Sequence, residues 1–175
     1  MMLSNLLVCD NTGSMLSSKT LHFDLKMKME QTVVRVTHEV VRGMVGLDAT
    51  GCGRQFSRAY QIVMTVYNEY KTQLDQLVSM LIVTDLETAV RSFAGVLDKL
   101  FFDGQINCGR VATVLAFAGC LTLHCVKEEM ISSDDVDQLA EAMGRQLATR
   151  FVNSQHSLVG IPLLPVYEHI RLIYD

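Results

Sequence analysis

Apolar residues recur at helical spacing along most of this sequence. Across residues 29–44 they return every three or four positions, which predicts an amphipathic helix from about residue 23 to residue 45. Alternation over residues 21–29 would also suit a short strand, but the helical pattern is the longer of the two. A second helical stripe covers residues 56–81, and its length predicts one long helix or two helices that meet near Tyr70.

In the most apolar stretch, residues 111–126, apolar side chains point in every direction. A helix of this kind lies either in a membrane or at the centre of a helical protein. The stretch has 16 residues between Arg110 and Lys127, fewer than the roughly 20 that span a membrane. We therefore predict a buried central helix at about 108–126, with Asn107 as its N-cap.

Two further helices flank this centre. A capping-box pattern at residues 84–87 predicts the start of one helix, which runs to Phe101, because its side chains can satisfy free amides of the first turn. Ser132 or Ser133 predicts the start of the other, which continues to about Phe151. Two prolines near the C-terminus rule out a long final helix. The prediction is an all-α protein of about seven or eight helices.

Composition is consistent with one helical domain. The chain has 175 residues, of which 49% are apolar and 19% charged, so a single core of ordinary size is expected. We assign residues 20–175 to this domain and residues 1–19, which show no clear period, to a mobile N-terminal arm. The net charge is −4 and Lys and Arg form no cluster, which argues against nucleic-acid binding.

The cysteines and the two ends of the chain bear on its location. Five cysteines without a Cys-x-x-Cys pair indicate reduced thiols in the cytosol rather than a disulfide framework. The N-terminal residues lack the basic flank of a signal peptide, and the chain ends without a long apolar tail. We therefore expect a cytoplasmic protein without a membrane span.

No catalytic or metal motif is complete. His38 and Glu39 begin a His-Glu-x-x-His zinc motif, but Arg42 stands where the second histidine is required. The two cysteines and the histidine within residues 120–125 could meet a metal, but burial of the thiols as small apolar groups is the better explanation. We expect neither an enzyme nor a metal or cofactor site.

Residues 101–121 read FFDGQINCGRVATVLAFAGCL. This segment resembles the first homology motif, BH1, of the Bcl-2 family of apoptosis regulators. The matching residues are Phe101, Asp103, Gly104, Asn107, Gly109, Arg110, Phe117 and Gly119. In two departures, Cys108 replaces the family's usual tryptophan, and the turn is one residue longer at Gln105 or Ile106.

The resemblance implies a Bcl-2-like bundle that sequesters BH3 helices of pro-apoptotic partners in a hydrophobic groove and so favours survival. In the family the matching arginine pairs with an aspartate of the bound helix, which implies that role for Arg110. Gly109 would let the ligand's backbone come close, and Asn107 would cap the helix. The groove walls would come from Tyr67, Tyr70, Leu77, Val96 and Leu100, with Thr113 and Phe117 at the base.

Two features favour a viral member of the family. The loop at residues 47–53 is short, and the second homology motif, BH2, is matched only weakly at residues 165–168. One rival function is therefore that of a viral Bcl-2-fold protein that acts on innate-immune signalling and not on BH3 ligands. Another is a membrane-permeabilising killer, but the Leu-x-x-x-Gly-Asp signature of a BH3 segment is missing. The expected setting is the cytoplasm and mitochondria of the host cell, and an apolar groove also invites a homodimer.

Overall fold

The computed structural model describes residues 8–9, 15–16, 18–47 and 58–156. Apart from one antiparallel pair of two-residue strands, β1 (Val8–Cys9) and β2 (Met15–Leu16), these residues form helices and their connections. The five α-helices are α1 (Ser18–Val45), α2 (Arg58–Ser79), α3 (Leu86–Leu100), α4 (Cys108–Lys127) and α5 (Val136–His156). The all-α prediction is confirmed. The predicted total of seven or eight helices includes residues 157–175, which lie outside the described part.

Helix α4 lies at the centre and packs against each of the other four α-helices. Every residue from Val114 to Thr122 is buried, because a helix with apolar residues on all sides leaves no face for water. The predicted central helix at about 108–126 is therefore confirmed. This helix is also long and apolar enough to cross a membrane, but 61% of its most apolar window is buried inside the fold.

Helices α1 and α5 form the most extensive pair. They run antiparallel, since Arg42 near the end of α1 meets Asp137 at the start of α5. Their backbones come close at Gly144 of α5, where an added Cβ would lie 2.8 Å from Cα of Val34. The close approach at this glycine is part of the extensive contact between α1 and α5.

The start of α1 and a break within α2 can be compared with the prediction. Helix α1 begins at Ser18, five residues before the predicted start at about residue 23. Helix α2 is interrupted at Tyr70, whose φ of −109° and ψ of 16° are not helical. The predicted break near this residue is confirmed.

The capping box of α3 lies one residue later than predicted. Asp85 is the N-cap: its Oδ1 accepts from the Thr88 amide at 2.8 Å, and the Thr88 hydroxyl accepts from the Asp85 amide at 3.1 Å. The prediction of a box at residues 84–87 was wrong, because the short Thr88 side chain reaches back to the amide more directly than Glu87 does.

A 3₁₀ turn, Ser133–Asp135, leads into α5, and Ser132 precedes it as the N-cap, as predicted. The Ser132 hydroxyl donates to Asp135 Oδ2 at 2.7 Å, and the Ser132 amide donates to the same oxygen at 3.2 Å. The apolar face of α5 is buried throughout and consists of Val136, Leu139, Ala140, Met143, Leu147 and Phe151.

Candidate binding groove

Helices α2 and α3 both rest on α4 but make little or no contact with each other. We call the region where α2 and α3 flank α4 the groove. The core beneath it is apolar: the rings of Phe93 and Phe117 stack with centroids 6.2 Å apart and an interplanar angle of 4°, and both are buried. An apolar groove between helices suits the apolar side of an amphipathic ligand helix.

The turn from α3 to α4 closes one end of the groove. Asp103 Oδ1 accepts from the Gln105 amide at 3.0 Å, and Gly104 has a φ of +70°, which residues with a Cβ rarely adopt. The side chain of Asn107 then accepts from the Arg110 amide at 2.9 Å. This bond satisfies one of the free amides at the start of α4, so the predicted N-cap is confirmed.

Arg110 forms a two-pronged ion pair with Asp103. Its Nη1 donates to Asp103 Oδ1 at 2.5 Å and its Nη2 donates to Oδ2 at 2.8 Å, while Nη1 also donates to the Gln105 carbonyl oxygen at 2.9 Å. The hydrogen bonds from Arg110, followed by the one from the Gln105 amide, lower the pKa of Asp103 from 3.8 to about 2. The pair is therefore charged at neutral pH, and the side chains are 28% and 27% exposed.

The other predicted site residues lie on the three helices that border the groove. Tyr67 and Phe117 are buried, whereas Tyr70 is 45% exposed at the kink of α2. Asn107 and Gly109 are exposed at the start of α4. The half-buried members are Leu77, Val96, Leu100 and Thr113. The structure holds no ligand, so contact of these residues with one stays a prediction.

Sequence reasoning named Asp103 only as a residue that matches the BH1 motif and missed its pairing with Arg110. A signal was present, since two opposite charges flank the turn seven residues apart. Whether such charges meet depends on the backbone path between them, which residue spacing outside a helix does not determine.

A small cleft of about 200 Å³ lies further along α4, lined by Asp75, Val78, Cys120, Leu123, His124 and Lys127. Cys120 Sγ donates to Asp75 Oδ1 at 3.3 Å. Burial, followed by this hydrogen bond, raises the pKa of Cys120 to about 12, so the thiol stays protonated. In the part of the chain that the structure describes, no three His, Cys, Asp or Glu side chains converge as metal ligands would.

Comparison with known proteins bears on the family. The sequence profile of the Bcl-2 family, described as apoptosis regulator proteins, matches residues 59–156, more than half of this chain. Bcl-2-related protein A1 of cattle (Bos taurus) is 33% identical over 85 residues, which cover 46% of this chain and 49% of that protein. The matched region thus spans about half the length of that relative. Together with the helical bundle around a central apolar helix, the profile match shows that the chain belongs to the Bcl-2 family of apoptosis regulators.

Proposed function

We propose that the protein sequesters BH3 helices of pro-apoptotic partners in the groove and thereby opposes apoptosis. The observation that carries the proposal is the position of Arg110, a partly exposed charged fork at the start of α4, beside a groove with an apolar base. An amphipathic helix with a carboxylate next to its apolar face complements both features. Members of this family are regulators, and we propose no enzymatic activity.

The space around Gly109 supports the same proposal. A Cβ at this position would meet only Asn107 Oδ1, at 3.5 Å, so the fold itself does not require glycine there. Glycine is a poor helix former, which makes its place in the first turn of α4 unfavourable for stability. A ligand backbone that passes close to the start of α4 would account for it.

Titration calorimetry with a BH3 peptide tests the proposal. Wild-type protein should bind the peptide, and Arg110→Ala should weaken binding about tenfold, because a charge-assisted bond to the ligand's aspartate is lost at a partly exposed site. Arg145→Ala is the matched control, since Arg145 also pairs with a carboxylate but lies on α5, which does not border the groove. Equal losses in both variants, or a loss in neither, would contradict the role of Arg110.

Two substitutions at Gly109 give a second, independent test of the proposed function. Gly109→Glu should abolish peptide binding, since it adds bulk and a negative charge where the ligand must approach. The folded state should tolerate the same change, because the position is open and a carboxylate suits the first turn of a helix. Melting curves followed by circular dichroism check the fold, and Gly109→Ala, which adds one carbon without charge, should bind more tightly than Gly109→Glu.

A second candidate function is that of a viral Bcl-2-fold protein with a closed groove, which acts on innate-immune signalling. Burial at the base of the groove favours it: Phe93, Phe117 and Tyr67 are only 0%, 1% and 8% exposed, so a ligand could reach them only after movement of α2 or α3. A panel of BH3 peptides, none of which binds, would favour this candidate over BH3 sequestration.

We also infer a viral origin and a place of action in the cytoplasm and at the mitochondria of the host cell. The support is the short loop at residues 47–53 and the weak match to the second homology motif at residues 165–168. A fluorescent fusion in cultured cells should overlap with a mitochondrial marker. A signal that never overlaps with that marker would contradict the inferred location.

A further inference from the structure

The guanidinium of Arg110 is held by only one of its two edges. A guanidinium carries five N–H donors, which form one fork across Nη1 and Nη2 and a second fork across Nε and Nη2. Both hydrogens of Nη1 are used, by Asp103 Oδ1 and the Gln105 carbonyl oxygen, and Nη2 gives one hydrogen to Asp103 Oδ2. Among the residues that the structure describes, no group accepts from the Nε–H and the second Nη2–H. Toward the described residues, a complete second fork is therefore open.

We propose that Asp103 is a positioning residue, which holds Arg110 by its Nη1–Nη2 edge so that the Nε–Nη2 edge receives the ligand's carboxylate. This inference rests on the proposed function, in which a BH3 helix brings an aspartate to Arg110. The ligand adds a second carboxylate to the guanidinium and does not displace Asp103.

The way in which Asp103 itself is held supports this arrangement. Its Oδ1 also accepts a hydrogen bond from the Gln105 amide at 3.0 Å, so the carboxylate is fixed to the backbone of the turn. Displacing it would break the two bonds to Arg110, whereas the second fork binds a carboxylate without breaking any bond. The lowered pKa of Asp103, about 2, keeps this partner charged at neutral pH.

Preorganisation gives Asp103 its effect on affinity. A free arginine side chain has many rotamers, and ordering a flexible side chain on binding lowers affinity. Asp103 and the Gln105 carbonyl fix the guanidinium before the ligand arrives. The two carboxylates lie on adjacent edges of the guanidinium and repel each other, but its positive charge attracts both, and at a partly exposed site solvent and salt screen the repulsion.

Calorimetry with two peptides tests the proposal: a BH3 peptide with its aspartate and the same peptide with alanine at that position. Asp103→Ala should weaken the aspartate peptide about three- to tenfold, which corresponds to one side chain that must be ordered on binding. The alanine peptide should bind both proteins equally. The affinity of Asp103→Asn for the aspartate peptide should lie between those of the wild type and Asp103→Ala, because asparagine keeps the acceptor for the Gln105 amide but loses the charge. Asp137→Ala is the control, since it removes the carboxylate from another Arg–Asp pair, in which Nη1 of Arg42 on α1 donates to both oxygens of Asp137 on α5.

Four results would overturn the inference. If Asp103→Ala leaves the affinity for the aspartate peptide unchanged, Asp103 has no role in binding. If the substitution increases that affinity, Asp103 competes with the ligand's carboxylate for Arg110. If the substitution weakens both peptides alike, it only maintains the turn. If the Arg110 Nε–H resonance of the wild-type protein does not shift on addition of the aspartate peptide, the second fork is not the binding edge.

The same titrations separate this inference from the proposed function. A wild-type protein that binds neither peptide overturns both. If the wild-type protein binds the aspartate peptide and the Arg110→Ala variant binds it much more weakly, the proposed function is supported. The affinities of the Asp103 variants then decide the inference by themselves.

Discussion

At the scale of single residues, three cysteines on α4 have different surroundings. Cys108 is exposed at the first residue of the helix, whereas Cys120 and Cys125 are buried. Burial is the main reason that the pKa values of Cys120 and Cys125 are raised, to about 12 and about 11. Since the thiolate is the reactive form, a thiol that is buried and has a raised pKa reacts slowly.

We therefore predict that iodoacetamide labels Cys108 well before the two buried thiols at pH 8. Mass spectrometry of peptides from timed samples measures the three rates. In denaturant all three thiols should react alike, which serves as the control. Labelling of Cys120 or Cys125 as fast as Cys108 in the folded protein would show that the buried part of α4 opens readily.

At the scale of secondary-structure elements, glycines determine how closely two helices approach. A Cβ at Gly144 would lie 2.8 Å from Cα of Val34, which is backbone and cannot turn aside. A Cβ at Gly119 would meet mainly the sulfur of Met44, at the far end of a flexible side chain. A Cβ at Gly95, within α3, would meet nothing within 4 Å.

We predict that three glycine-to-alanine substitutions rank in this order. Gly144→Ala should lower the free energy of unfolding by about 1–3 kcal/mol, because the helices must move apart. Gly119→Ala should lower it less, since Met44 can adopt another rotamer. Gly95→Ala should raise it by about 0.5–1 kcal/mol through helix propensity alone. Urea denaturation measures all three, and a neutral Gly144→Ala would show that the contact between α1 and α5 is looser than described.

The contact between α1 and α5 also contains two carboxylates that pair with basic side chains. Arg42 donates to both oxygens of Asp137 at 2.7 and 2.8 Å, and these bonds are the main cause of its lowered pKa. The pKa of Glu141 is also lowered, chiefly by a hydrogen bond from Arg145 and then by one from His38. A carboxyl with a lowered pKa binds protons less readily in the folded than in the unfolded state. Its contribution to stability is therefore present above its ordinary pKa and lost as the pH falls through the folded value.

We predict that acid destabilises the wild-type protein more than Asp137→Asn. Urea midpoints measured from pH 7 to pH 3 should converge below the ordinary carboxyl value of 3.8 for Asp137, where the wild type loses the contribution that the variant lacks throughout. Asp134→Asn is the control, since the Asp134 side chain is exposed and forms no ion pair with any residue that the structure describes. Parallel pH profiles of wild type and Asp137→Asn would contradict the prediction.

At the scale of the whole molecule, the groove leaves apolar side chains near water. Phe102, next to Asp103 in the turn that closes the groove, is 84% exposed, and Tyr70 on α2 is 45% exposed. Exposed apolar surface beside an apolar groove favours association. We propose that the protein forms a concentration-dependent homodimer that covers the groove.

Sedimentation from micromolar to near-millimolar concentration tests this proposal. The apparent mass should rise with concentration, and a BH3 peptide should lower it, because peptide and second copy compete for one surface. Phe102→Gln should weaken the dimer, whereas Phe23→Gln, which changes a 59% exposed side chain on α1, should not. A mass that stays monomeric throughout would remove the proposal.

Local rules determined much of this molecule. Helical periodicity predicted the central helix α4 to within a residue or two, because apolar residues on every side must be enclosed. Asn107 predicted the start of that helix, since a cap is a contact between residues three positions apart. The same kind of reasoning placed the α3 capping box one residue early, because several side chains near residue 85 can serve the same amides.

Only the tertiary structure determined which distant or irregularly connected groups meet. The Asp103–Arg110 pair crosses a turn, and its existence depends on the turn's conformation, including the positive φ of Gly104. The stack of Phe93 on Phe117 joins α3 to α4, and Arg42 meets Asp137 across 95 residues of chain. Periodicity states which face of a helix is buried, but the partner of that face follows from how all the helices pack together.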